Sequence, residues 1–189
     1  LMGATGSGKS TFLEYATGKS DPSIGHGLER RTDRSRAVRC KYPREGGSII
    51  LVDTPGLDNP HKTDIEVMIE IADFLRKLSK KKVHLSAILY LHRVSDERMT
   101  AEDPLRNLKM LPSLCGQATM PRIALGTTMW SKVSLETGER QEQALARYWK
   151  ELTSEECQLE RFGDSVDSAW TIISNMHRKN STMLSSEIV

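Results

Sequence analysis

Gly3-Ala4-Thr5-Gly6-Ser7-Gly8-Lys9-Ser10, with Thr11 behind it, fits the spacing GxxxxGK[ST]. Glycines at these intervals let successive backbone N–H groups turn inward around phosphate oxygens, and the helix that follows aims its positive end at the same anion. In that arrangement Lys9 neutralises the β- and γ-phosphates of a nucleotide and Ser10 binds Mg2+. The plainer alternative is a Gly/Ser-rich turn that caps a helix. The pattern arises by chance in roughly one chain in a hundred of this length, so a second element has to decide between the two.

That element lies downstream. Ser48-Ile49-Ile50-Leu51-Val52 is a buried-strand run that ends in Asp53-Thr54-Pro55-Gly56-Leu57. It places a carboxylate at the carboxyl end of a strand, the edge where open α/β sheets bind ligands. Asp53 there can hold Mg2+ through water. Gly56 can bring its N–H to a terminal phosphate because no side chain blocks the approach. Alone, the sequence DTPG is an ordinary turn; paired with the loop it is a strong signal.

Around these two segments, short apolar runs alternate with stretches of helical period, which is the pattern of an α/β protein with helices on both faces of a parallel sheet. Strands are expected at residues 37–41, 48–53, 83–91, 122–127 and, more weakly, 159–162. Helices are expected at 10–16, stopped by Gly18, and at 64–78 with Ile65, Met68, Ile69, Ala72 and Leu75 on the packed face. Further helices are expected at 101–111, 139–152 and 165–177. Residues 179–189 show no period and are expected to fray, so the domain should span 1–178 with a flexible tail at 179–189.

Composition adds bounds. The 189 residues are 38% hydrophobic and 28% charged, enough for one domain with a sizeable core. Lys plus Arg number 27 and Asp plus Glu 25, a net charge of +2, so no field argues for nucleic acid and none is expected as a partner. Apolar stretches at 49–52 and 87–91 are strand-length, so no membrane segment is expected. Cys40, Cys115 and Cys157 are widely spaced and match no metal or redox spacing; they read as reduced thiols in a cytoplasmic protein. Within these residues, which open on Leu1 and not Met, no leader, signal peptide or lipidation motif is expected, and no internal repeat or low-complexity tract is found.

GATGSGKST at 3–11 followed by DTPGL at 53–57 resembles the Walker A loop and switch II of the translation-factor-related P-loop GTPases. In detail it resembles the septin and immune-associated (AIG1-like) branch. Tyr90-Leu91-His92-Arg93 and Thr127-Thr128-Met129-Trp130-Ser131-Lys132 are similar to stretches of fungal-type G domains, so the likeness covers roughly the whole chain. It implies a P-loop NTPase three-layer sandwich with a mostly parallel central sheet. It also implies GTP and GDP as ligands and Mg2+ as cofactor. On this likeness Gly3, Ala4, Thr5, Gly6, Ser7, Gly8, Lys9, Ser10 and Thr11 cradle the phosphates, and Gly56 senses the terminal one. Ser10 and Asp53 serve Mg2+. Thr32, in the switch-like run Gly27-Leu28-Glu29-Arg30-Arg31-Thr32, closes on the same ion, with Ser35 as the alternative.

Two departures stand out. Only Leu1 and Met2 precede Gly3, so most of the strand that leads into the family's loop is absent and the chain reads as truncated at the N-terminus. Losing it exposes the backbone edges of neighbouring strands and predicts aggregation. Second, aligning residues 123–127 with the family's fifth strand puts Thr128 at the Lys position and Trp130 at the Asp position of the N/T-K-x-D motif, so the guanine-reading carboxylate is missing. Thr128 and Trp130 remain the base-binding candidates. Trp130 can stack on a purine or simply be a half-buried strand-end tryptophan; Lys132 can cover the other base face or be solvated.

Other residues read more plainly. His92 and Arg93 fall just past a buried strand at the ligand edge, His26 sits in the expected switch, and Lys80-Lys81-Lys82 complements a helix dipole. Leu57 follows the DxxG glycine where many small GTPases carry a glutamine that orients water, so hydrolysis by a monomer should be slow. The missing group is then expected from Arg30, Arg31 or His26, or from a second protomer docking across the nucleotide. The leading expectation is a guanine nucleotide-binding domain with slow Mg2+-dependent GTP hydrolysis, acting as a switch or self-assembling module. Alternatives are a P-loop ATPase or a degenerate domain serving as an interaction scaffold.

Overall fold

Capping chemistry sets where the helices begin and end. The computed structural model describes residues 1–18, 34–41, 47–81, 83, 85–96, 122–153 and 158–184. Helix α1 (Lys9–Thr17) starts directly from Gly8 and closes on Gly18, whose left-handed backbone returns its N–H to Glu14 O at 2.9 Å. Strands β1 (Arg36–Lys41) and β2 (Ser48–Asp53) form an antiparallel pair with Arg36 opposite Asp53. Helix α2 (Asp64–Lys80) opens with a reciprocal Thr63–Glu66 capping box.

Strand β3 (Ala87–Arg93) begins later than the apolar run suggests. Val83 donates its N–H back to Leu78 O at 3.1 Å, so that residue closes α2 instead of starting the strand. Strand β4 (Arg122–Thr128) lies parallel to β3, and β5 (Gln158–Arg161) lies parallel to β4. Helix α3 (Leu135–Thr153) begins before the expected 139 because Ser134 Oγ accepts from Thr137 N at 3.2 Å, a serine cap. Ser165 does the same for α4 (Val166–Leu184), accepting from Ser168 N at 3.1 Å. That helix runs beyond residue 177, through the first part of the stretch expected to fray. The helix expected at 101–111 lies outside the described residues, as do Cys115 and Cys157.

The first two residues join the two sheets. Met2 pairs in parallel with Tyr90, donating to Leu89 O at 2.9 Å and accepting from Leu91 N at 2.8 Å. On its other side Leu1 N donates to Val52 O at 2.6 Å. The strand position between β2 and β3 is therefore held, over two residues, by Leu1 and Met2.

Alternation along β3 sorts the core into two layers. Ile88 and Tyr90 face α2 and α3, meeting Val67, Met68, Ile71, Leu145 and Trp149. Leu89 and Leu91 face α1 and α4, meeting Phe12, Ala16, Ala169 and Ile172. Phe12, fully buried, sets its ring 5.0 Å from that of Phe162, and burial of such a ring contributes about 1.5–3 kcal/mol. The result is the α/β three-layer arrangement expected from the alternation.

One expectation is corrected. Helix α2 buries Val67, Met68 and Ile71, while Ile65 and Ile69 are 55% and 48% exposed. The packed face is rotated by roughly a quarter turn from the one read off the sequence. Apolar residues cover so much of this helix that periodicity alone admits both faces; contact with Leu57 and Tyr90 selects one.

Candidate phosphate-binding site

Backbone conformation builds the loop. Gly3, Gly6 and Gly8 all have positive φ, at 139°, 77° and 94°, values that strain any side chain. Gly3 is also hemmed in: a Cβ there would lie 2.2 Å from Leu91 O. The chain then enters α1, whose first N–H groups have no partner within the helix and point back into the loop. Helix and loop together present the donors and the partial positive charge that favour an anion.

Lys9 curls over this loop. Its Nζ donates to Gly3 O at 3.0 Å and Ala4 O at 2.8 Å. Burial lowers its pKa from 10.5 to about 8, with Asp53 and Asp58 opposing the shift. The cation is thus held on two carbonyls of the loop itself.

Ser10, the second residue of α1, donates from Oγ to Asp53 Oδ2 at 3.0 Å. Asp53 is fully buried at the end of β2, with Arg36 Nη2 at 3.4 Å from the same oxygen. A hydroxyl and a carboxylate side by side are hard oxygen donors of the kind Mg2+ accepts, alongside water and substrate phosphates. Among the described residues no group of three or more His, Cys, Asp or Glu side chains gathers into a metal cage.

The 53–58 segment closes against the loop. Leu57 N donates to Gly3 O at 3.1 Å and Leu57 O accepts from Thr5 N at 2.9 Å. Gly56 lies so near that a Cβ would fall 2.4 Å from Thr5 Oγ1. Asp58, a carboxylate that no sequence motif marks, follows at φ 60° and donates its N–H to Asp64 Oδ1 at 2.6 Å. Burial raises its carboxyl pKa, with the nearby Arg93 pulling the other way. The signal available in sequence was only its place two residues after Gly56.

Gly3 to Thr11, Ser10, Asp53 and Gly56 thus converge on one edge of the sheet. Thr128 sits beneath them: it is buried, and its Oγ1 donates to Ser7 O at 3.0 Å and lies 3.3 Å from His92 O. Trp130 turns toward β5. Its indole N–H donates to Thr127, and the Arg161 guanidinium lies over its ring at 4.4 Å. Arg161 is in turn fixed by Glu142, which also accepts from Thr127 Oγ1 at 3.0 Å. Thr32, with His26, Arg30 and Arg31, lies outside the described residues.

Comparison with known proteins adds to this geometry. The family described as 50S ribosome-binding GTPase matches residues 1–119. Among solved structures, the chain is similar to translation elongation factor SelB from Methanococcus maripaludis in complex with a GTP analogue, at 14% identity and TM-score 0.61, covering 100% of this chain and 34% of that one. It is similar to Era of Aquifex aeolicus bound to GDP and AlF4−, at 16% identity and TM-score 0.59, covering 93% and 54%. It is also similar to Toc33 from Arabidopsis thaliana with GDP and Mg2+, at 18% identity and TM-score 0.54, covering 85% and 67%. The chain therefore spans about a third of the first and about half of the second.

Proposed function

The chain belongs to the family of 50S ribosome-binding GTPases, and from that premise we propose that it binds guanine nucleoside di- and triphosphates with Mg2+ and hydrolyses the triphosphate slowly. The observation that carries this is the convergence of Lys9, the Ser10–Asp53 contact and the Gly56 approach on one phosphate loop. Lys9 turns from the Gly3 and Ala4 carbonyls to the polyphosphate, while the loop and α1 supply N–H donors. Ser10 and Asp53 hold Mg2+, which when bound neutralises charge on the phosphates. Thr32 is proposed to join them. The Leu57 side chain has no hydrogen-bonding group to offer a water and is fully buried, and its backbone N–H and C=O are engaged with Gly3 and Thr5. It leaves the nucleophile unpositioned, which is the reason for assigning slow turnover.

Thr128 and Trp130 are proposed to lie beside the base, with Thr128 also engaged with the loop and Trp130 with Arg161, and neither is a carboxylate able to read guanine. Guanine preference is then modest, about tenfold over adenine or roughly 1.4 kcal/mol. The patterns at 90–93 and 127–132 support placement in the septin and AIG1-like branch, and with it a switch or self-assembling role. Dimerization is important for the GTPase activity of the chloroplast translocon components atToc33 and psToc159. By analogy a second copy docking across the nucleotide is proposed here. Residues 1–178 are proposed as the working unit, and a cytoplasmic setting is proposed for it. No helix of the described residues is long and apolar enough to cross a membrane.

The test is a titration of fluorescent GDP, GTP and ATP analogues with and without Mg2+, followed by turnover over a wide range of protein concentration. Mg2+-dependent binding with GTP favoured, and turnover per molecule that rises with concentration, is expected. Equal affinity for ATP would move an ATPase ahead, and no binding by any nucleotide would leave an interaction scaffold.

A further inference from the structure

Arg93 ends β3, the strand whose Leu91 carbonyl lies against Gly3. Its guanidinium spans two groups. Nε donates to Asp96 at 2.9 Å, and Nη1 reaches the phosphate loop, where a Cβ added to Gly6 would lie 3.3 Å from it. The side chain is 31% exposed, so it stands at the rim of the loop and not beneath it.

The base of this side chain is fixed. Val94 N donates to Thr128 O at 3.0 Å, and Asp96 N donates back to Arg93 O at 3.2 Å. Asp96 thereby orients the guanidinium through one edge and directs the other edge at Gly6. The loop carries a second cation in addition to Lys9, and the two repel: Arg93 contributes, after burial, to the lowered pKa of Lys9. Two positive groups on one short loop are unfavourable to the empty fold and are repaid by a polyanion bound between them.

We propose that Arg93 is a catalytic residue supplied in cis, whose Nη groups contact the nucleotide polyphosphate beside Gly6 and stabilise the charge that collects on the leaving diphosphate. This rests on the nucleotide-hydrolysis function proposed above and deepens it. In the step concerned, the oxygen of water bonds to the γ-phosphorus, and the bond from that phosphorus to the β–γ bridging oxygen breaks. The electron pair stays on the diphosphate; one water proton remains on inorganic phosphate and the other passes to solvent. The charge on the diphosphate grows through this step, so a guanidinium placed there binds the transition state more tightly than the ground state. Because Leu57 offers nothing to the water, charge stabilisation is the larger contribution open to a single copy of this chain.

Single-turnover hydrolysis and binding of a fluorescent non-hydrolysable GTP analogue are compared in wild type, Arg93→Gln, Arg93→Lys and Arg93→Ala, with thermal unfolding as a check on the fold. Arg93→Gln is expected to slow hydrolysis by about 100-fold or more while affinity for the non-hydrolysable triphosphate analogue, which represents the ground state, changes by less than about tenfold. Arg93→Lys should keep part of the rate, and guanidinium ion should restore turnover to Arg93→Ala without accelerating the wild type. A wild type that hydrolyses GTP at the same rate as Arg93→Gln overturns the proposal and leaves the nucleotide site standing. Equal losses in rate and in affinity for the non-hydrolysable triphosphate analogue, or no rescue by guanidinium, also overturn it by making Arg93 a phosphate anchor or a brace for β3. A wild type that binds no nucleotide removes the site and this proposal together.

Discussion

The phosphate end and the β4–α3 corner lie at the same edge of the sheet but are built differently. At the phosphate end the backbone predominates: three glycines at positive φ, carbonyls of Gly3 and Ala4 under Lys9, and the paired N–H and C=O groups of Gly3, Thr5 and Leu57. At the corner, side chains converge from separate elements, Thr127 from β4, Glu142 from α3 and Arg161 from β5, to hold Trp130. Structure made by backbone depends on spacing within one short segment. Structure made by side chains depends on where distant segments meet.

The largest effect is expected at Gly3. A Gly3→Ala change puts a Cβ against the Leu91 carbonyl and forces a left-handed alanine, which should cost about 3 kcal/mol or more of stability in urea unfolding. A loss below about 1 kcal/mol would show that the loop yields easily and that its backbone is not the rigid part.

Lys9 sharpens the same side. Lys9→Ala should weaken GTP binding by about tenfold or more, the worth of about one lost charge-assisted contact at 1.5–3 kcal/mol. Its pKa of about 8 in the free protein adds a pH test. A bound polyphosphate keeps Lys9 protonated, so affinity should fall as pH rises above about 8, approaching tenfold per pH unit. Stability of the free fold moves oppositely. The unfolded chain binds the extra proton between about 8 and 10.5, so the fold gains stability as pH rises through that window. Calorimetric titrations and thermal scans at several pH values check both, and a Lys9→Met protein should show neither dependence on this group.

The smallest effect belongs to the corner. Glu142→Ala removes a bidentate partner of Arg161 and an acceptor for Thr127. Arg161 is 47% exposed, so water screens part of the loss, and about 1–2 kcal/mol is expected. Tryptophan emission should change with Trp130 released, while affinity for inorganic pyrophosphate stays as in wild type. A matching fall in pyrophosphate affinity would show that the two regions act as one.

This difference also governs what could be read in advance. The loop, the Asp53 edge and the strand–helix alternation were legible because each lies in a contiguous pattern with a direct backbone consequence. The serine caps at Ser134 and Ser165 were legible in principle, but the apolar period alone sets the start of α3 too late. The packed face of α2 was not legible, since Ile65 and Ile69 satisfy the period as well as Val67 and Ile71 do. The anchoring of Trp130 was not legible either, because Glu142 and Arg161 stand 19 residues apart and nothing local relates them.

Leu57 belongs to both worlds, tied by its backbone to the loop and by its side chain to Val67, Met68 and Ile71 in the core. Any rearrangement that separates residue 57 from the loop has two routes. If Leu57 travels alone, a fully buried apolar side chain enters water and the heat capacity of the protein rises. If α2 travels with it, Leu57 stays covered by Val67, Met68 and Ile71 and contributes no rise of its own. The calorimetric signature of ligand exchange therefore reports, through one leucine, whether this domain responds by a local release or by shifting a whole helix.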